Sequence, residues 1–239
     1  MNNLSCKNFS VTIEGAERIS AVDLEVSSGQ IIALVGPNGS GKSSFLKGIM
    51  SMEGTETTGS VLFDGEEITK LKIFEKAKKG IYFSPQHTPN LEGVKLISLL
   101  YGAYTKMTGD TNTSILDLRK KAIERAEKYN LNPDLLDRYV GVGLSGGEKK
   151  QSELLQLLTL KPKICLIDEI DSGVDVDVTG TIKQIVTDLT KAGSAVLLVS
   201  HNLHMLQSLP IDKVYVAQNG MITKKGGMEL ITKIAQDGF

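Results

Sequence analysis

Cysteine is nearly absent from this 239-residue chain: Cys6 and Cys165 are too few and too far apart for a zinc pattern or a disulfide framework. Long apolar runs are missing as well. No stretch approaches the roughly 18 consecutive apolar residues that a membrane-spanning helix needs, so direct membrane insertion is not expected. Charge of either sign is not in excess, with 27 Lys and Arg against 28 Asp and Glu and a net charge of −1. The lysine pairs Lys78-Lys79, Lys120-Lys121 and Lys224-Lys225 are short and scattered. They read as solvated surface, not as a nucleic-acid footprint, and nucleic acid is not an expected partner. The opening MNNLSCKNFS has neither a basic region nor an apolar core, so it does not read as a signal peptide. Leu4-Ser5-Cys6 has the shape of a lipoprotein cleavage site but lacks the apolar run before it. These absences point to a cytoplasmic, reducing location, and no internal repeat or low-complexity linker divides the chain.

What is present alternates between strand and helix signals. Ser5–Ile13 and Ala21–Val26 alternate loosely, as strands of a half-exposed antiparallel sheet do, and Ser27-Ser28-Gly29 reads as a turn. Ile31–Val35 is wholly apolar, the pattern of a strand buried on both faces of a parallel sheet. A glycine-rich loop and a helix from about Ser43 to Met50 follow. Val61-Leu62-Phe63 before Asp64-Gly65 reads as a strand and tight turn. From about Thr88 to Leu158 the pattern becomes helical, with Leu116, Ile123 and Ala126 among charges. Two more buried strands, Ile164–Ile167 and Ala195–Val199, flank a helix from about Val178 to Lys191. The expected fold class is α/β: a parallel-sheet core (1–87 and 159–239) with an N-terminal antiparallel β portion and an inserted helical block (88–158).

Gly36-Pro37-Asn38-Gly39-Ser40-Gly41-Lys42-Ser43 satisfies G-x-x-x-x-G-K-[ST] in full, between a buried strand and a helix. Glycines let successive backbone N–H groups turn toward a phosphate at the positive end of a helix, with Ser44 beside them in its first turn. Lys42 is expected on the β- and γ-phosphates and the Ser43 hydroxyl on Mg²⁺. Asp168 and Glu169 end an apolar strand, at the sheet edge where such folds bind ligands. Asp168 suits Mg²⁺, and Glu169 suits an attacking water; the competing reading is a strand-end cap. His201, at the end of another strand, is placed to sense the γ-phosphate or else to bond loop backbone. His201 and His204 are three apart, but a metal pair would need a third ligand that the sequence does not show. Gln86, after a short strand, is a candidate Mg²⁺ ligand, or taken alone a turn residue. Cys165, inside an apolar strand, reads as a structural thiol and not a cluster ligand.

In their order, the phosphate loop, Gln86, Leu144-Ser145-Gly146-Gly147-Glu148, Asp168-Glu169, Ser172-Gly173-Val174-Asp175 and His201 make the whole chain resemble the ABC ATPases. The resemblance implies a single nucleotide-binding domain with a RecA-like parallel core. It also implies Mg²⁺-dependent ATP hydrolysis, with Glu169, His201 and Gln86 as the catalytic set. It implies an ATP-dependent head-to-tail dimer in which Ser145, Gly146 and Gly147 contact ATP held by the other subunit, and Ser172 to Asp175 cross the seam.

Within that family, Glu148-Lys149-Lys150 followed by Glu153-Leu154-Leu155-Gln156 resembles the SufC branch, the ATPase of the Suf iron–sulfur cluster assembly system. Transporter motors usually continue with Gln-Arg and an Ala- and Arg-rich helix. Ile170-Asp171 and Gly173 stand where transporter ATPases usually have Pro and Ala, and the Pro85–Val94 segment resembles the branch's glutamine loop. Leu144, Pro85 and Asn90-Leu91-Glu92 depart from the branch's usual residues. The implied partners are soluble SufB-like or SufD-like scaffold proteins, bound through His87–Val94 and the neighbouring helical block. The alternatives are the motor of an ABC membrane transporter and a regulatory ATP-binding module without useful hydrolysis. Many family members stack adenine on an aromatic near the N-terminus, yet none lies between Phe9 and Phe45. Ile13 or Ile19 is expected to offer an aliphatic surface instead.

Overall fold

The computed structural model describes residues 2–86, 88–170 and 176–239, the side chains of residues 176 and 177 excepted. Strands β1 (Asn3–Ile13) and β2 (Ala16–Ser27) form an antiparallel pair, and β3 (Ile31–Val35) leads through the glycine-rich loop into helix α1 (Lys42–Ile49). Next come β4 (Thr55–Phe63), β5 (Glu66–Glu67), α2 (Ile73–Lys78), β6 (Ile81–Ser84), β7 (Leu91–Lys95), α3 (Leu96–Thr108) and α4 (Ile115–Lys128). A 3₁₀ turn at Pro133–Asp137 and β8 (Tyr139–Val140) precede α5 (Gly146–Leu160), β9 (Ile164–Asp168), α6 (Val176–Lys191) and β10 (Ala195–Val199). The chain ends with α7 (Leu203–Ser208), β11 (Lys213–Gln218), β12 (Met221–Gly226) and α8 (Met228–Asp237).

The central sheet runs β12-β11-β3-β10-β9-β6, parallel except for the antiparallel edge strand β12. Its wholly apolar strands are buried on both faces because successive side chains point opposite ways. Ile31, Ala33 and Val35, with Cys165, Ile167, Val196 and Leu198, pack into one core with α3 to α8. Ile32 and Leu34, with Ile164, Leu166, Leu197 and Val199, pack into a second core with α1 and the N-terminal strands. Each such side chain taken fully from water contributes roughly 1.5–3 kcal/mol.

A second sheet, β2-β1-β4-β5, is antiparallel, as the loose alternation implied. Asp64 and Gly65 have φ of 51° and 83°, the left-handed pair that a tight hairpin between β4 and β5 requires. Phe9 of this sheet meets Phe45 of α1 edge-on, ring centroids 5.9 Å apart, and this seats the loop-bearing helix between the two sheets.

The stretch from Thr88 to Leu158 differs from its helical expectation in one place. Leu91–Lys95 is a strand, paired antiparallel with Tyr139–Val140. Glu92-Gly93-Val94 has no helical periodicity and Gly93 takes φ 77°, while the N–H of Leu96 donates to the Arg138 carbonyl at 2.9 Å. Helices α3, α4 and α5, the 3₁₀ turn and their connecting loops make up the rest. Among the described residues, no helix is long and apolar enough to cross a membrane.

Candidate nucleotide site

Register brings the site together. Ser84 at the end of β6 stands opposite Ile167, and Val199 of β10 is level with both Asp168 and Leu34. Four parallel strands therefore end along one line, and the loops leaving them carry the phosphate loop, Gln86, Asp168-Glu169 and His201. A cavity of about 550 Å³ opens there, lined by Asn38, Gly39, Gly41, Lys42, Ser43, Ser44, Gln86, Glu169 and His201, with Ile13 and Arg18 from the antiparallel strands.

The loop from Gly36 to Gly41 curls tightly over the end of the sheet. Gly41 has φ 96°, and a Cβ there would stand 2.3 Å from the Arg18 carbonyl oxygen, so only glycine fits. Gly41 is also the N-cap of α1, with no side-chain cap and no acidic residue in the first turn. The helix thus presents uncapped N–H groups and its positive dipole end at the cavity, which suits phosphate. Lys42 is buried; its Nζ donates to the carbonyls of Gly36 at 2.9 Å and Pro37 at 2.8 Å and to Ser40 Oγ at 3.3 Å. Burial pulls its pKa below that of a free lysine, while Glu169 and Asp168 oppose the shift.

Asp168 and Glu169 are both buried. Ser43 Oγ donates to Asp168 Oδ1 at 3.0 Å, across 125 residues of sequence. Burial, reinforced by the neighbouring Glu169 charge, raises the Asp168 carboxyl above its ordinary range, and the Ser43 hydrogen bond partly offsets this. Glu169 takes φ 52°, a left-handed conformation costing of order 1–3 kcal/mol for a non-glycine residue, and its N–H donates to the Val199 carbonyl at 2.9 Å. Its side chain is held on both sides: Gln86 Nε2 donates to Oε2 at 2.6 Å, and His201 Nδ1 lies 3.2 Å from Oε1. His201, expected near a γ-phosphate or on loop backbone, rests against the carboxylate while its imidazole remains half exposed.

The donors gathered here fit the groups that the chemistry implies. Ser43 hydroxyl, Asp168 carboxylate and the Gln86 amide oxygen are hard oxygen ligands, and excess negative charge on buried Asp168 and Glu169 favours a divalent cation. Mg²⁺ takes only one or two protein carboxylates beside phosphate oxygens. Among the described residues, no three His, Cys, Asp or Glu side chains are grouped to hold a metal by themselves. Cys165 is fully buried in β9 and its thiol is pushed up to about 12, an inert group.

Ser145, Gly146 and Gly147 do not line this cavity. Ser145 is the N-cap of α5: its Oγ accepts from the Glu148 N–H at 3.3 Å, and Glu148 Oε2 accepts from the Ser145 N–H at 2.8 Å. The Ser-Gly-Gly-Glu stretch is therefore a capping box, a local signature legible in S-x-x-E spacing. A Cβ on Gly146 or Gly147 would meet nothing within 4 Å, so this chain's own packing does not require glycine at either position. His87 and the Asp171–Asp175 stretch lie outside the described residues.

Two residues have a place at or beside the site that the sequence did not show. Ile19 is fully buried in the core and offers the cavity nothing; Ile13 lines it, together with the unanticipated Arg18. Alternation along β2 signalled the difference, since Arg18 and Ile19 must face opposite ways. Glu153 is the other. It is a buried carboxylate of α5 that accepts from Ser84 and Thr88, on either flank of Gln86.

Comparison with known proteins gives the family. The ABC transporter family model matches residues 19–172, more than half of the chain. Vegetative protein 296 of Bacillus subtilis (strain 168) is 33% identical over 241 residues, spanning 100% of this chain and 92% of its own length. The probable ATP-dependent transporter ycf16 of Cyanophora paradoxa is 34% identical over 240 residues, covering 99% of this chain and 93% of its own. Among solved structures, the ADP conformation of MJ1267, an ATP-binding cassette of an ABC transporter, superposes with a TM-score of 0.76 at 30% identity, covering 99% of this chain and 96% of that one. The chain belongs to the ABC transporter family as one of its nucleotide-binding ATPases, which bind ATP with Mg²⁺ and hydrolyse it.

Proposed function

We propose that this chain is the SufC-like motor of a cytoplasmic iron–sulfur cluster assembly complex, converting ATP hydrolysis into movement of a bound scaffold. The observation that carries this reading is the burial of Lys150 and Glu153, two of the residues that depart from the transporter pattern. They pair at 3.2 Å and join α5 to the flanks of Gln86, so the departure is built into the fold and is not surface drift. The division into a nucleotide-binding core (1–87 and 159–239) and a partner-facing insert (88–158) belongs to the same proposal.

In the chemistry proposed, loop N–H groups and Lys42 hold the triphosphate by charge and hydrogen bonding. Mg²⁺, held by Ser43, Asp168 and Gln86, would neutralise charge on the β- and γ-phosphates. Glu169 orients the attacking water and receives its proton. Gln86 and His201 fix the Glu169 carboxylate from two sides, so a strained backbone and two side chains determine where the base points. Exposed Ser145 and the unencumbered Gly146 and Gly147 support a head-to-tail dimer that completes the site, with α5 turning its positive end toward ATP bound by the second copy.

A mostly apolar groove of about 340 Å³ lies beside the glutamine segment, lined by residues including Ile73, Pro85, Pro89, Leu91, Leu99 and Met107. This groove is the proposed seat of a soluble SufB-like or SufD-like scaffold. Pull-down from membrane-free extract tests the assignment: such a scaffold should be recovered with the chain. Recovery of an integral membrane permease without one would overturn it and leave the ATPase chemistry standing. A transporter motor is the second reading, supported by Streptococcus pyogenes relatives, 32% identical, that are named probable ABC transporter ATP-binding proteins.

A further inference from the structure

Glu153 stands apart from the cavity chemistry, yet it is one of the most buried charged groups in the chain. Its side chain is 2% exposed and that of its partner Lys150 9%. A buried carboxylate is costly unless every lone pair is used, and here they are used in an informative way. Oε2 accepts from Lys150 Nζ at 3.2 Å and from Ser84 Oγ at 3.2 Å, while Oε1 accepts from Thr88 Oγ1. Ser84 ends β6 and Thr88 follows it by four residues, so one carboxylate ties together both flanks of the segment that carries Gln86. Gln86 itself reaches 2.6 Å to Glu169. Lys150 is held by the same carboxylate; among the described residues no other acidic side chain bonds its Nζ.

We propose that Glu153 is a positioning residue for ATP hydrolysis: anchored by Lys150 on α5, it clamps Ser84 and Thr88 so that Gln86 meets Glu169 in one fixed geometry. This rests on the roles proposed above for Gln86 and Glu169. A hydrogen-bonded clamp suits the task, since a loop held at one end only would let the Gln86 amide wander. Displacements of about 1 Å are enough to cost of order 100-fold in rate. The clamp also couples the helix capped by Ser145 to the carboxylate of this chain's own site, through the Glu153 contacts, the short backbone segment that carries Gln86, and the Gln86–Glu169 bond.

The test uses the full-length chain and four variants: Glu153→Ala, Gln86→Ala, the two combined, and Ser84→Ala with Thr88→Val. The last removes both clamp contacts and leaves the Lys150–Glu153 pair intact, so it carries the test if Glu153→Ala does not fold. Glu153→Ala and the Ser84/Thr88 variant should each lower kcat about 10- to 100-fold, the scale of small misplacement, with KM for ATP within about twofold of wild type. Because Glu153 acts through Gln86, adding Glu153→Ala to Gln86→Ala should cost almost nothing further, and amide hydrogen exchange at Gln86 and Thr88 should speed up in the Glu153 variant. Additive losses, or wild-type kcat in the clamp variants while Gln86→Ala is impaired, would overturn the clamp alone. Wild-type turnover in Gln86→Ala would overturn the role of Gln86 and the clamp with it.

Discussion

Gln86 and Glu169 are 83 residues apart in sequence and 2.6 Å apart in space, amide nitrogen to carboxylate oxygen. The bond uses the donor end of the amide and leaves its oxygen available for a cation. One residue thereby connects the proposed Mg²⁺ ligands to the proposed base. Glu169→Gln should keep ATP binding and slow hydrolysis roughly 10²–10⁴-fold, the scale for losing a positioned base. Nucleotide binding by equilibrium titration and phosphate release, measured on the same protein, check it. Wild-type turnover would remove Glu169 from its role.

Lys42 and Ser145 should fail separately and recover together. Lys42→Ala removes the cation at the phosphates and should abolish tight ATP binding, while Ser145→Arg blocks the α5 N-terminus that would face the second copy's ATP. A mixture of the two inactive proteins should regain activity, because a mixed pair keeps one intact site. Wild-type activity should also rise faster than linearly with protein concentration in dilute solution. Strict linearity and no recovery on mixing would show that one chain suffices.

Lys76 should make stability depend on pH. It is fully buried, with Nζ donating to the Ile49 carbonyl at 2.5 Å at the end of α1 and to Ser51 Oγ at 2.7 Å. Desolvation lowers its pKa from 10.5 to about 8, while Cys6 opposes the shift. Between pH 8 and 10.5 the unfolded chain therefore binds more protons than the folded one, so this group's contribution to stability rises with pH across that window. Melting curves of wild type and Lys76→Met at pH 7.5 and pH 9.5 check the sign. Wild type should gain on the variant as pH rises, by no more than about 3 kcal/mol.

Gly48 should resist replacement although it lies in a helix. On propensity alone, Gly→Ala in a helix interior is worth up to about 1 kcal/mol of stability. A Cβ at Gly48 would stand 2.4 Å from Val11 Cγ2 in the neighbouring sheet, so Gly48→Ala should lower the melting temperature. Combining it with Val11→Ala should relieve the clash and leave the double variant more stable than the sum of the single losses.

Much of this was legible because the signals are local. Ile31–Val35, Ile164–Ile167 and Ala195–Val199 are apolar at every position, a pattern suited to a sheet covered on both faces. The Gly36–Ser43 spacing carries its own turn and helix start, and Asp168-Glu169 follows directly from where its strand ends. The β7–β8 pair inside the helical stretch was not legible. Leu91–Lys95 is mostly exposed and has no period, and its partner lies more than forty residues further on. Periodicity records which face of an element meets a core and says little where no core is met.

The sequence by itself determined an α/β chain with a phosphate loop, a sheet-edge carboxylate pair and a capped helix beginning Ser145-Gly146-Gly147, because each depends on neighbours within a few residues. Tertiary structure alone decided the rest. It buried Ile19 and left Arg18 and Ile13 at the cavity, set His201 against Glu169, forbade a side chain at Gly48, and turned Glu153 from one charge in a helix into the clamp on Gln86. Those outcomes depend on what stands across a gap of a few ångströms, often between residues 65 or more positions apart, as for Thr88 with Glu153. Hydrogen bonds and steric contacts act only at that range, and the chain path that brings such partners together is set by the whole core.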